Sequence, residues 1–113
     1  MPTIEELKGM EKAAKQGDAL AQFLLGGYFL DNNRPHKAIK WLEKSAKQGS
    51  GEPYGHAQDC LSLCYGSGIG GVRKNIPLSK VWGQAAEKSE ANGYQLKLDM
   101  QPNCVQAYIR AQR

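Results

Sequence analysis

Five residues, Ala13-Ala14-Lys15-Gln16-Gly17, return almost unchanged 32 positions later as Ser45-Ala46-Lys47-Gln48-Gly49. A third, altered copy stands at Ala85-Ala86-Glu87-Lys88-Ser89. A period of this length marks stacked helical hairpins, because one hairpin alone cannot bury its apolar face. Such stacks build surfaces that hold other proteins more often than pockets for chemistry.

The residues between the copies have helical period. Thr3-Ile4-Glu5-Glu6 reads as a capping box that opens a first helix, and Gly17 supplies the left-handed residue that ends it. Asp18 caps a second helix carrying Ala21, Leu24, Leu25, Tyr28 and Phe29. Asp31-Asn32-Asn33 is a turn, and Pro35 restarts the chain as a first-turn proline. The third helix puts Ala38, Trp41, Leu42 and Ala46 on one side and lysines on the other.

A fourth helix through Ala57, Leu61 and Tyr65 ends in Gly66-Ser67-Gly68-Ile69-Gly70-Gly71. Asn75 caps a fifth, with Val81, Trp82, Ala85 and Ala86. Beyond it, Asn92 to Met100 reads as a short helix broken by Pro102, followed by a last amphipathic helix through Val105, Tyr108 and Ile109. Gly26 and Gly27 stand inside the second helix, where each costs about 1 kcal/mol relative to Ala. Close approach of a partner helix offsets that cost, and Trp41 is the expected filler.

A chain of 113 residues is one domain by size, here spanning 1–113. No apolar h-region stands near the amino terminus and no run is long enough for a membrane span, so the expected address is the cytoplasm, with no membrane partner. Three cysteines, Cys60, Cys64 and Cys104, are an odd number and read as reduced thiols. Cys60 and Cys64 share a helix face as small core residues, with no CxxC or nearby His to complete a metal site.

The net charge of +4 is mild. Lys8, Lys12 and Lys15, then Lys37, Lys40, Lys44 and Lys47, fall at helical spacing and read first as a solvated face. The alternative is a nucleic-acid or acidic partner held by that stripe, though no aromatic residues interleave as a single-strand groove requires.

Candidate chemistry is thin. The glycine run resembles a phosphate cradle, but it follows a helix instead of a strand, and the repeat itself accounts for its glycines. His36 and His56 have no carboxylate or cysteine at site-forming spacing, and Glu5, Glu6 and Glu11 are first-helix surface charges. Nothing pairs a nucleophile with a base. No enzyme activity, cofactor or metal is expected.

Ala21-x-x-x-Leu25-Gly26-x-x-Phe29, then Ala38-x-x-Trp41-x-x-x-Ser45-Ala46-x-Gln48-Gly49, is similar to the Sel1-like repeat, a tetratricopeptide-like family. The second copy, Ala57-x-x-x-Leu61-Ser62-x-x-Tyr65-x-x-Gly68-x-Gly70 and on to Ala85-Ala86, carries the glycine loop of such repeats. Ala14 to Ala46 is 32 residues and Ala46 to Ala86 is 40, and the excess is assigned to two loop insertions of four. That alignment puts Leu78 at the place of Ala38, Val81 at that of Trp41 and Trp82 at that of Leu42. The resemblance implies an all-α fold: a short right-handed α-solenoid of two and a half hairpins, recognisable over 13–89, with 90–113 a cap over the open end.

By analogy with tetratricopeptide proteins, the resemblance lines a concave wall with Leu20, Phe23, Gly27 and Leu30 of the first hairpin. His56, Asp59, Leu63 and Gly66 continue it on the second. An apolar groove with polar edges suits a helix or extended peptide. The alternative is that the tail helix packs there and leaves no groove. The function implied is a non-catalytic protein-interaction module that binds a peptide, helix or toxin domain. Within that class the resemblance implies a role such as a small bacterial adaptor or a toxin-neutralising immunity protein.

Overall fold

Helices begin where a side chain can take up free backbone N–H groups. The computed structural model describes residues 2–112. Helix α1 (Ile4–Lys15) opens on the capping box, with Thr3 Oγ1 accepting from the Glu6 N–H at 3.1 Å and Glu6 Oε1 from the Thr3 N–H at 3.4 Å. Helix α2 (Ala19–Asp31) is capped by Asp18 and α5 (Ile76–Ala91) by Asn75. Helix α3 (Pro35–Ala46) starts on its proline, α4 is Tyr54–Ser67, and α6 is Asn103–Ala111. Gly17 ends the first hairpin element at φ +99°. There is no strand among the described residues.

The segment Asn92 to Met100 is not a helix. It turns at Gly93 (φ +96°), runs extended, and makes a single 3-10 turn at Leu98–Met100. An extended path lets Tyr94 lie fully buried on α4, a gain that a solvated helix there would forgo.

Successive helices pack side by side, α1 on α2, α2 on α3, α3 on α4 and α4 on α5. One core joins Phe23, Leu30, Leu42, Leu61, Trp82 and Val105, and a smaller one joins Ala14, Ala21 and Leu25. Trp41 does not fill the space at Gly26. A Cβ on Gly26 would meet Leu42 Cγ at 2.8 Å and the Ala38 carbonyl at 3.2 Å, so Leu42 is the filler. Trp41 stands about 100° round α3 from Leu42, half-buried against the cluster of Ala14, Ala21 and Leu25. Gly27 faces the tail instead, where its Cβ would meet Pro102 Cγ at 3.0 Å.

The internal register also differs by one from the spacing arithmetic. Helices α2 and α4 correspond at a shift of 36, since they end at Asp31 and Ser67. Helices α3 and α5 begin at Pro35 and Ile76, a shift of 41. The contacts agree: Gly26 faces Leu42, and its counterpart Ser62 faces Gly83, whose Cβ would lie 3.2 Å from Ser62 Oγ. Five extra residues therefore lie in the second hairpin's loop, and Trp82, not Val81, holds the place of Trp41. Helix α5 also runs to Ala91, a turn further than the same shift carries the end of α3.

Polar struts repeat along with the helices. Gln22 Nε2 donates to the Ala14 carbonyl and Gln58 Nε2 to the Ala46 carbonyl, each at 3.0 Å. Gln48 Nε2 donates to Gln22 Oε1 at 2.8 Å, and Ser89, its counterpart at the shift of 41, donates through Oγ to Gln58 Oε1. Ser45 Oγ adds a bond to the Ala19 carbonyl at 2.7 Å. Gln22, Ser45, Gln58 and Ser89 are buried, and losing one partner would strand a buried group at about 1–3 kcal/mol.

Candidate functional site

The chain's own tail lies on several of the positions expected to line an inner wall, against Gly27, His56 and Asp59. Phe23, Leu30 and His56 are each at most 2% exposed. Leu63 and Asp59 are half-buried, as is Gly66, and Leu20 alone of the wall side chains is exposed, at 38%. The tail caps the core from this inner side, not from the open end beyond α5, where Ile76, Leu78 and Val81 remain exposed.

Tyr94 anchors the tail. A Cβ on Gly55 would clash with the Tyr94 ring carbons, so a bare backbone at that position of α4 is what admits the ring. The ring meets His56 edge-on at 5.0 Å between centroids, and His56 stacks on Phe23 at 5.6 Å. His56 Nε2 lies 2.9 Å from Glu52 Oε2. The Tyr94 hydroxyl donates to Asp59 Oδ2 at 2.6 Å. Burial, before any charge, pushes the Asp59 carboxyl above its ordinary range, and that hydroxyl pulls it part of the way back. Burial also pushes the Tyr94 phenol up, with the Asp59 carboxylate adding to it.

Further along, Gln101 Nε2 donates to the His56 carbonyl at 3.1 Å and Pro102 covers Gly27. Asp31, at the end of α2, then caps α6. Its two oxygens accept from the Asn103 and Cys104 N–H groups, each at 2.9 Å. A carboxylate on two free N–H groups at a helix start is favourable in charge as well as in hydrogen bonding.

The cysteines are free thiols. Burial, then Asp31, raises the Cys104 thiol to about 12, and a hydrogen bond with Cys64, then burial, raises Cys60 well above its ordinary value. Thiols shifted in this direction are poor nucleophiles. No group of three or more His, Cys, Asp or Glu among the described residues is arranged for a metal ion. The glycine loop packs on the first hairpin: a Cβ on Gly70 would meet Leu30 Cγ at 2.6 Å, and Ile69 and Val72 are buried.

What stays open on the inner side is a groove of about 420 Å³ between α1, α2 and the tail. Met10, Leu24, Tyr28 and Met100 give it an apolar surface, with Asp99 and Gln106 among its polar lining. Leu24 is 39% exposed, and Leu20 stands one turn earlier on the same helix face.

A family model of the Sel1 repeat matches residues 10–18, 19–50 and 55–89. The chain belongs to the Sel1 repeat family. Neither the curated proteins nor the solved structures hold a match to it. Sel1 repeats generally mediate protein–protein interaction and are typically non-catalytic. No helix among the described residues is long and apolar enough to cross a membrane.

Several residues of this site escaped the sequence reading. Gln22 and Gln58 stand 36 apart, the same shift as Ala21 and Ala57, so a column-by-column comparison of the two copies would have found them. Asp31, Tyr94 and Gln101 carry no such signal, because their partners lie between 35 and 73 residues away.

Proposed function

We propose that this Sel1 repeat chain is a non-catalytic interaction module whose protein contact surface is the groove between α2 and the docked tail. The observation that carries this reading is a set of apolar side chains, Leu20, Leu24 and Met10 with Met100, left accessible beside an inner wall that is otherwise filled. Apolar surface in a concave, polar-rimmed setting gains from covering by a peptide or one face of a helix. Of the wall positions named from the sequence, Leu20 remains a contact residue in this reading. Gly27, His56 and Asp59 serve it by touching the tail that forms the far bank, Phe23 stacks on His56, and Leu30 and Leu63 belong to the core beneath.

Acting by occupancy, as an adaptor or as an inhibitor that neutralises a toxin domain, needs nothing beyond such a surface. A cytoplasmic address accords with three free thiols. The test is panning of a displayed peptide library against the whole chain. Selected peptides should lose about ten-fold or more in affinity to Leu24→Glu, a change at an exposed position that leaves the core intact. Peptides indifferent to Leu24→Glu, or a selection that converges on no sequence, would defeat the reading.

A further inference from the structure

The outer edge of α3 concentrates charge as no other part of the chain does. Between Arg34 and Lys47 stand five cations and one carboxylate, Glu43, a net +4 that equals the net charge of all 113 residues. Lys37, Lys40 and Lys44 are exposed, and none has a carboxylate within 4 Å among the described residues, where Lys47 pairs with Glu43. Contrary to the expectation from the sequence, aromatic rings do stand among these lysines: Lys37 Nζ lies 5.4 Å from the Phe29 centroid, and Lys40 and Lys44 lie 5.8 and 4.9 Å from that of Trp41. Such contacts restrict long side chains that would otherwise lose rotamer freedom on binding.

Two further observations argue against a merely solvated face. The first turn of α3 holds no acid, and its cap is Arg34, which makes no capping hydrogen bond. Cations there oppose the helix dipole, a cost that an incoming anion reverses. The repeat does not require lysine at these places either. At the shift of 41 the corresponding residues of α5 are Leu78, Val81 and Ala85.

We infer that this lysine edge is a second docking surface, and that its occupant is an acidic helix of a protein partner. From Lys37 to Lys47 the edge spans about 15 Å, so carboxylates at helical spacing on a facing helix meet it charge for charge. Both rings are half-buried and already paired with ammonium groups, which makes them poor platforms for base stacking and favours protein over nucleic acid.

The test uses the whole chain and a labelled alanine-based peptide with Glu at helical spacing, read by fluorescence anisotropy. A Gln-for-Glu peptide and a single-stranded oligonucleotide of equal charge are the comparisons. The acidic peptide should bind, weaken about ten-fold between about 50 and 300 mM salt, and lose about ten-fold in affinity to Lys37→Gln/Lys40→Gln/Lys44→Gln. Lys8→Gln/Lys12→Gln, on α1, should change affinity less than about two-fold. If the triple variant loses helicity by circular dichroism, Lys40→Glu alone should still cost about three-fold. Equal binding of the Gln peptide, unchanged affinity in a folded triple variant, or tighter binding of the oligonucleotide would overturn the inference.

Discussion

The two hairpins share a backbone plan and the glutamine struts Gln22 and Gln58, and differ in how their helices meet and in what they expose. In the first, Leu42 seats against the bare Gly26, a large-on-small apolar contact. In the second, Ser62 and Ser79 cross-link the helices, each hydroxyl donating to the other's carbonyl, at 2.9 and 2.7 Å. Outside, the lysines of α3 give way to Leu78, Val81 and Ala85 on α5. At the start of the inner helix, Ala19 of α2 is answered by Gly55 of α4, and only the second carries the tail's tyrosine. The repeat thus fixes helix spacing, while packing chemistry and exposed character vary independently from one copy to the next.

Gly55→Ala gives the sharpest way to break this comparison, because it installs in the second hairpin the residue that the first already tolerates. The new methyl evicts the Tyr94 ring and loosens the tail. The expected loss is about 3 kcal/mol, read from urea denaturation, with proteolysis beginning after Asn92. Unchanged stability would mean that the tail does not depend on the bare backbone of α4.

Gly26→Ala against Gly83→Ala sharpens it next. At Gly26 the methyl meets Leu42 and the Ala38 carbonyl, so strain exceeds the gain in helix propensity, and a net loss of about 1–2 kcal/mol is expected. At Gly83 the nearest atom is a serine hydroxyl at 3.2 Å, which can yield, and the change should be close to neutral. Equal effects would show the two interfaces to be packed alike.

Tyr94→Phe has the smallest effect, about 1 kcal/mol at neutral pH, and its pH dependence is the diagnostic part. The Asp59 carboxyl titrates higher in the folded chain than in the unfolded one. Its contribution is therefore greatest below its ordinary value and is lost as pH rises through the raised value. Removing the hydroxyl that pulls Asp59 down extends this loss to higher pH. Denaturation midpoints from acid to neutral pH should show the added slope in Tyr94→Phe and lose it in Asp59→Asn/Tyr94→Phe.

The caps and periods were legible because they are local. Thr3, Asp18 and Asn75 each bond three residues ahead, and the glycine at 17 needs only its own φ. Leu42 and Trp41 were not separable by the same means, since adjacent bulky residues on one helix both satisfy an apolar pattern and only the axial rotation of α3 chooses between them. The candidate site was legible as a wall and not as an open surface: Phe23, Leu30 and His56 were placed on the inner side by repeat position, but what lies against them was left between a partner and the tail.

By itself the sequence determined the stack, because a recurring small-residue and glycine spacing leaves antiparallel hairpins as the way to bury each apolar face. Tertiary structure alone decided the path of the tail, the one-residue slip between the copies and the location of the remaining groove. These depend on contacts between distant residues, Tyr94 with Gly55 and Asp31 with Asn103. Each is weak alone, and none leaves a periodic trace along the chain.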